Sequence, residues 1–251
     1  MICNPREPLP AMSKQKTMSL TSDLVALCHS DIADPGPDSR WTPIGDDGYR
    51  ALAERLDREN PDAPLWVFAY GSLIWKPEFQ AIDNRRATAF GWHRSFCLSI
   101  NRWRASREQP GLMMALARGG RCDGVVYRLP PADRVAQIER MLRREVSFIE
   151  NVDSIRWLPV KTEGGPLKAL GFWVGGTGER ILSRRPLEDV AQVLARACGH
   201  LGSCAEYLYN TVTHLEEFGI RDRNLWRLQH LVAAEIRTIH GLNAPSALPS
   251  A

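Results

Sequence analysis

The chain has 251 residues, of which 44% are hydrophobic and 24% charged, so it can form one substantial domain with extensions or two small domains. The 32 basic residues are nearly balanced by 29 acidic ones, and a net charge of +3 gives little reason to expect a nucleic-acid partner. No apolar run approaches the roughly 18 residues needed to span a bilayer, so we expect no membrane partner either.

The cysteines and the N-terminus predict a cytoplasmic protein. The six cysteines form neither a CxxC pair nor a cluster with zinc-ligand spacing, which predicts free thiols and no metal site. Residues 1–16 are polar and interrupted by prolines, without the apolar core of a signal peptide. A disulfide between Cys198 and Cys204 across a helix–helix turn is the alternative, and a reducing compartment disfavours it.

The first half of the chain is predicted to consist mainly of strands. Residues 1–45 mix prolines with scattered polar residues and lack periodicity, which predicts a flexible extension. A short helix at 48–58 and a linker occupy 46–64 and lead into a main domain at 65–240, with a tail at 241–251. Strands are expected in this domain at 65–70, at 86–100 with an interruption, and at 112–117 and 123–129.

The second half is predicted to be mainly helical. A helix is expected at 131–148, beginning at a proline where a helix tolerates one best. Further elements follow as strands at 155–161 and 168–174 and helices at 186–198, 203–218 and 223–239, with Ser203 and Glu206 at capping-box spacing. Strands first and helices last, without regular alternation, predict the α+β class, as a curved sheet or small barrel with helices outside.

One predicted turn has the composition of an anion-binding loop. Tyr70, Gly71, Ser72 and Leu73 directly follow the apolar run 65–69. Gly71 allows the backbone to approach a ligand closely, and successive N–H groups in such a turn form an anion-binding concavity. Taken alone, the same pattern also fits an ordinary turn after a strand.

One carboxylate lies on the apolar side of the helix expected at 131–148. At 100° per residue, this helix has a single apolar stripe, formed by Val135, Ile138, Met141 and Leu142. Glu145 follows Ile138 by seven residues and Leu142 by three, which places it on this stripe. Partial desolvation raises the pKa of a carboxylate and suits it to exchange protons near neutrality. The alternative is a helix-end glutamate that reaches water or pairs with an arginine, and Glu139 and Glu150 are weaker candidates for the same role.

The sequence gives little support for other kinds of catalytic site. The chain has no Ser–His–Asp order, no HExxH motif and no GxxxxGK[ST] loop. His93 could act as a catalytic imidazole, but a histidine at a strand end is more often structural. The turn and the carboxylate together predict a substrate whose α-carboxylate is held by backbone amides and whose proton is removed by Glu145.

A more specific signal comes from six segments that follow one another in a fixed order. They are VFAYGSLIWKP at 67–77, GWHRSFCL at 91–98, GLMMAL at 111–116, GVVYRL at 124–129, RRE at 143–145 and GHLGSCAEYLYNTVTHLEEFGI at 199–220. Together they resemble the ChaC family of glutathione-specific gamma-glutamylcyclotransferases in its bacterial form, over about residues 65 to 236.

The resemblance implies a small mixed β-barrel with flanking helices and the conversion of glutathione into 5-oxoproline and cysteinylglycine. It implies Glu145 as the catalytic proton acceptor. It also implies a set of substrate-binding residues, namely Val67, Phe68, Ala69, Tyr70, Gly71, Ser72, Leu73 and Tyr207. Because the substrate's own amine is the nucleophile, no metal or cofactor is required. We expect a monomer or weak dimer that binds a small molecule.

Two alternatives stay open at this stage. Segment 146–155 lacks the Gly-Tyr that many bacterial relatives carry before the Arg-Trp pair, so the substrate could be another γ-glutamyl amine or amino acid. A non-catalytic module that binds RNA or acidic proteins would instead use an aromatic, basic surface, made of Arg85, Arg86, Arg94, Arg102, Arg104 and Arg107 with Trp92 and Trp103 interleaved.

Overall fold

Five strands close into a barrel in the computed structural model, which describes residues 17–61, 63–175, 181–182 and 185–242. The strands are β1 (Trp66–Ala69), β2 (Asp83–Ile100), β3 (Gly111–Arg128), β4 (Ile155–Thr162) and β5 (Gly165–Phe172). Their order around the barrel is β1-β3-β2-β4-β5. β1 runs antiparallel to β3 and parallel to β5. The predicted α+β class and small mixed β-barrel are therefore confirmed.

Six helices surround the barrel in the described ranges. They are α1 (Ser22–Ala26), α2 (Asp46–Arg58), α3 (Arg134–Glu145), α4 (Leu187–Arg196), α5 (Cys204–Glu217) and α6 (Arg223–Ile239). A two-residue ladder of β6 (Cys198–Gly199) and β7 (Gly202–Ser203) joins α4 to α5. At the start of α5, the Ser203 hydroxyl accepts from the Glu206 N–H at 3.0 Å, as the capping-box spacing predicts. No helix of the described residues is long and apolar enough to cross a membrane.

The predicted break within the third strand is wrong. Residues 112–117 and 123–129 were expected as two strands, but Gly111–Arg128 is one strand that pairs with β2 from Asp83↔Arg128 to Ile100↔Gly111. Gly119 and Gly120 have φ values of +101° and +73°, and they lie opposite a register shift between Phe90 and Trp92. The glycines thus mark a bulge, which bends paired strands without ending them.

The prediction of a flexible extension is wrong for residues 17–45. Leu20, Leu24 and Cys28 are buried in the hydrophobic core, and α1 lies against α5 and α6. The N–H groups of Ser19 and Leu20 both donate to Gln229 Oε1 at 2.9 Å. Residues 1–16, and the part of the expected tail from 243 onward, lie outside the described residues.

The five cysteines of the described residues are all free and buried: Cys28, Cys97, Cys122, Cys198 and Cys204. The alternative of a Cys198–Cys204 disulfide is therefore wrong. Burial raises the pKa of the Cys28 and Cys122 thiols to about 11, and that of Cys204 to about 12. These side chains behave as small apolar groups in the core.

Candidate active site

The turn after β1 is a tight 3-10 segment at Ser72–Ile74. Its backbone is closed by the Ile74 N–H, which donates to the Gly71 carbonyl at 2.9 Å. A Cβ atom on Gly71 would lie 2.7 Å from the Tyr207 hydroxyl and 2.9 Å from Met114 Cε. The φ of Gly71 is −146°, so the position requires glycine for space and not for a left-handed backbone.

A cavity of about 740 Å³ lies beside this turn, and its volume is in the range of small-molecule sites. Six of the predicted site residues line it, namely Tyr70, Gly71, Ser72, Leu73, Glu145 and Tyr207. Val67, Phe68 and Ala69 do not, because their side chains are wholly buried in the core. A substrate-binding role for these three residues stays a prediction, and only their backbone is suited to it.

Glu145 is the last residue of α3, and the side chain faces the cavity from the inner side of the helix. Ile138 and Leu142, the two stripe residues used to place it, are completely buried. The Glu145 side chain keeps 20% of its surface exposed, and Oε1 lies 3.2 Å from Arg144 Nε. Burial raises the pKa of the Glu145 carboxyl, and the Arg144 guanidinium opposes this rise in part.

Two tyrosines with protonated hydroxyls, Tyr70 and Tyr207, line the same cavity. Burial, reinforced by the nearby Glu145 carboxylate, raises the pKa of Tyr207 to about 12 and that of Tyr70 well above its usual value. Tyr207 hydrogen-bonds with Ser72, and the edge-on ring of Trp75 lies 5.9 Å away between centroids. Both hydroxyls are therefore neutral at physiological pH.

The structure reveals a buried arginine behind the turn. The Arg94 side chain is only 2% exposed. Nε donates to the Tyr70 carbonyl at 2.7 Å, and Nη2 donates to the Asp123 carbonyl. Nη1 lies 3.0 Å from Asp222 Oδ2, and Asp222 in turn caps α6 by accepting from the Leu225 N–H. Arg94 thus ties the turn to the barrel and to α6.

Replacing Arg94 by Met is expected to lower the free energy of unfolding by about 3–5 kcal/mol. The change leaves the Tyr70 and Asp123 carbonyls without their donor and Asp222 without its cation. Chemical denaturation monitored by circular dichroism measures the effect. Arg121→Met, which removes an exposed arginine that pairs with Asp123 at 2.7 Å, is the control and should cost much less. Equal stability of the Arg94 variant and the wild type would contradict the bracing role.

Most of the proposed basic surface is neutralised by acidic partners. The N···O distances are 2.7 Å for Arg85–Asp83, 3.0 Å for Arg94–Asp222, 2.7 Å for Arg102–Asp34 and 2.5 Å for Arg104–Glu206. His93 Nδ1 donates to the Gly119 carbonyl at 3.0 Å, and His93 does not line the cavity. The geometry therefore gives little support to the RNA-binding alternative or to a catalytic imidazole.

Arg104 lines the cavity. The sequence did not predict this position and placed Arg104 on the basic, aromatic surface instead. The Arg104 guanidinium carbon lies 5.7 Å from the ring centroids of Trp75 and Tyr207, and Nη1 also donates to the Ser203 carbonyl. Its partners lie far from it in the chain, so no local pattern marks it. Within the described ranges, no group of three His, Cys, Asp or Glu side chains is placed to hold a metal ion.

Comparison with known proteins agrees with this architecture. Residues 65–235 match the model of the family described as ChaC-like protein. A glutathione-specific gamma-glutamylcyclotransferase of Escherichia coli (strain K12) is 32% identical over 176 residues, which cover 70% of this chain and 75% of that protein. A glutathione-specific gamma-glutamylcyclotransferase 1 of Homo sapiens is 27% identical over 67% of this chain and 76% of its own length.

The fold has a counterpart among solved structures. A crystal structure of a gamma-glutamyl cyclotransferase specific to glutathione from yeast superposes with a TM-score of 0.63 and 21% identity. The match covers 69% of this chain and 97% of the yeast protein. With a family match over residues 65–235 and the barrel in common, this chain belongs to the ChaC-like protein family.

Proposed function

We propose that this protein cleaves glutathione by intramolecular cyclisation of the γ-glutamyl group, giving 5-oxoproline and cysteinylglycine. The observation that carries this proposal is the placement of Glu145 in one cavity with the turn at 70–73 and Tyr207. A carboxylate with a raised pKa lies where it can exchange a proton with a ligand bound at the turn. The related enzymes of Escherichia coli and Homo sapiens carry the name of this activity.

Glu145 acts first as a base and then as an acid. The carboxylate takes a proton from the α-ammonium of the γ-glutamyl group, and the freed amine attacks the γ-carbonyl carbon of the same group. The new C–N bond closes a five-membered lactam. Protonated Glu145 then donates to the cysteine nitrogen as the old C–N bond breaks, and the released amine takes up the second proton, which the ring nitrogen loses. Because amine and carbonyl belong to one bound molecule, holding it folded supplies much of the rate enhancement.

The turn binds and orients the γ-glutamyl group. Backbone N–H groups at Gly71, Ser72 and Leu73 hold the α-carboxylate or the oxygen that becomes negative during attack, and each positioned donor is worth about 3 kcal/mol. The neutral hydroxyl of Tyr207 is a further donor.

The direct test is to detect 5-oxoproline by mass spectrometry after incubating the purified protein with glutathione. We expect 5-oxoproline and cysteinylglycine in equal amounts, without added metal or nucleotide. A parallel incubation with γ-glutamylalanine tests the other γ-glutamyl substrates that segment 146–155 leaves open. Absence of 5-oxoproline from both substrates would contradict the proposed reaction.

Location and assembly belong to the same proposal. We place the reaction in the cytoplasm, where thiols stay reduced, because the described cysteines are all free. A small molecule is the expected partner, and a monomer or weak dimer is the expected assembly.

The pH dependence of kcat/KM follows from the charge next to Glu145. Only the ionised carboxylate accepts a proton, so activity should rise as pH passes upward through the raised pKa of Glu145. Arg144 lowers this pKa, so Arg144→Gln should raise it further and move the acidic limb to higher pH. Arg140→Gln, an exposed arginine one turn earlier on α3, should leave the limb in place. An unchanged limb in the Arg144 variant would contradict Glu145 as the titrating base.

A further inference from the structure

We infer that Trp41, carried on the anchored segment 34–45, forms part of the wall of the substrate cavity and selects for the peptide part of the substrate beyond the γ-glutamyl group. This inference rests on the proposed function. The segment precedes residues 65–235, the part of the chain that matches the family model.

The segment is bound to the chain immediately after Glu145. The Ile149 N–H donates to the Thr42 carbonyl at 2.9 Å, and the Ile44 N–H donates to the Ser147 carbonyl at 3.3 Å. The Thr42 N–H lies 3.2 Å from each carboxylate oxygen of Glu150. Residues 42–44 therefore form a short pairing with 147–150, which are only two to five residues beyond the proposed base.

The segment is also anchored at both ends. Asp34 accepts two hydrogen bonds of 2.7 Å from the guanidinium of Arg102 at the end of β2. Beyond residue 45, the Tyr49 hydroxyl on α2 donates to the Val146 carbonyl at 2.9 Å. Because the segment is tied to the barrel and to the residue after Glu145, its position is fixed relative to the site.

Trp41 reaches the cavity from this anchored segment. The indole lines the cavity, and its ring centroid lies 6.3 Å from that of Phe148. Trp41, Ile100 and Trp103 also line a neighbouring cavity of about 920 Å³, whereas Glu145 and Tyr207 line only the first. Trp41 therefore lies where the two cavities meet, beyond the reacting end.

The position of Trp41 suits a contact with cysteinylglycine, the part of the substrate that leaves in the reaction. With the γ-glutamyl group held at the turn and beside Glu145, the cysteinylglycine portion is the part that extends toward the boundary between the cavities. A flat apolar ring there packs against the peptide backbone and excludes water. A γ-glutamyl compound with a shorter leaving group gains less from this contact, so Trp41 favours the tripeptide.

The test compares steady-state kinetics of Trp41→Ala and wild type with two substrates. For glutathione, kcat/KM should fall about tenfold, the scale of losing an apolar pocket contact, mainly through a higher KM. For γ-glutamylalanine, measured as substrate or as competitive inhibitor, the constants should change little. Trp41→Phe should retain most of the preference. Trp157→Ala, a half-buried tryptophan on β4 that lines neither cavity, controls for general loss of packing.

Each outcome is decisive. Equal losses for both substrates, or no loss for glutathione in an active protein, would overturn the role of Trp41 and leave the proposed function standing. A wild-type protein that makes no 5-oxoproline from either substrate would overturn both. If Trp41→Ala does not fold, Trp41→Leu keeps an apolar contact with Phe148 and should show the same substrate-dependent loss to a smaller degree.

Discussion

Glu145→Gln is expected to give a folded protein that forms almost no 5-oxoproline from glutathione. Glutamine has nearly the shape of glutamate but accepts no proton at neutral pH, and positioned general acid–base groups contribute about 10²- to 10⁴-fold to rate. Glu145 acts twice in the proposed reaction, so we expect the upper part of this range. Folding should be little affected, because the carboxylate ends a helix and keeps 20% of its surface exposed.

Glu139→Gln is the matched control for this prediction. Glu139 lies on the same helix with a similarly buried side chain, 19% exposed, and pairs with Arg143 at 2.7 Å. It does not line the cavity. Its loss should leave turnover near wild type. Initial rates of 5-oxoproline formation, with circular dichroism to verify folding, compare the two variants. Substantial turnover by Glu145→Gln would assign the base to another residue.

Gly71→Val is expected to abolish glutathione binding and turnover. Even the first carbon of a side chain at this position would lie 2.7 Å from the Tyr207 hydroxyl and 2.9 Å from Met114 Cε, both far inside normal contact. The turn or Tyr207 must shift, and both line the site. Isothermal titration with glutathione and initial-rate kinetics measure the loss. Gly45→Val is the control, since a Cβ there meets nothing within 4 Å.

A double variant identifies the clash. Gly71→Ala should raise the KM for glutathione, and the increase should be smaller when Tyr207→Phe has first removed the hydroxyl that is 2.7 Å away. The quantity compared is the increase in KM caused by Gly71→Ala, measured once in the wild type and once in the Tyr207→Phe variant. The effect of losing the Tyr207 hydroxyl itself is then present on both sides of the second comparison and does not contribute. Unchanged binding by Gly71→Ala and Gly71→Val would contradict a close-fitting turn.

The features that could be predicted from the sequence are those set by local periodicity. Apolar residues at helical spacing identify the inward side of α3 without knowledge of what packs against it, and that side carries Glu145 into the cavity. The apolar run before Tyr70 likewise predicted a buried strand, observed at Trp66–Ala69. In both cases the residues that determine the structure lie within a few positions of one another.

The features that were missed depend on distant partners. Arg94 bonds to Tyr70 and to Asp222, which are 24 and 128 residues away, and nothing near Arg94 distinguishes it from the surface arginines. Leu20 and Leu24 repeat at helical spacing, but their burial depends on α5 and α6 near the other end of the described chain. A short apolar pattern among prolines does not reveal that α5 and α6 provide an apolar surface against which Leu20 and Leu24 can pack.

The burial of the five described cysteines has a consequence for an enzyme of this kind. A cell that supplies glutathione also holds its oxidised form, which exchanges with accessible thiolates to leave the tripeptide covalently attached. The thiols of Cys28, Cys122 and Cys204 are buried, with pKa values raised to about 11 or 12, so they form little thiolate at neutral pH. These three thiols therefore resist S-glutathionylation by the oxidised form of the peptide that the protein consumes.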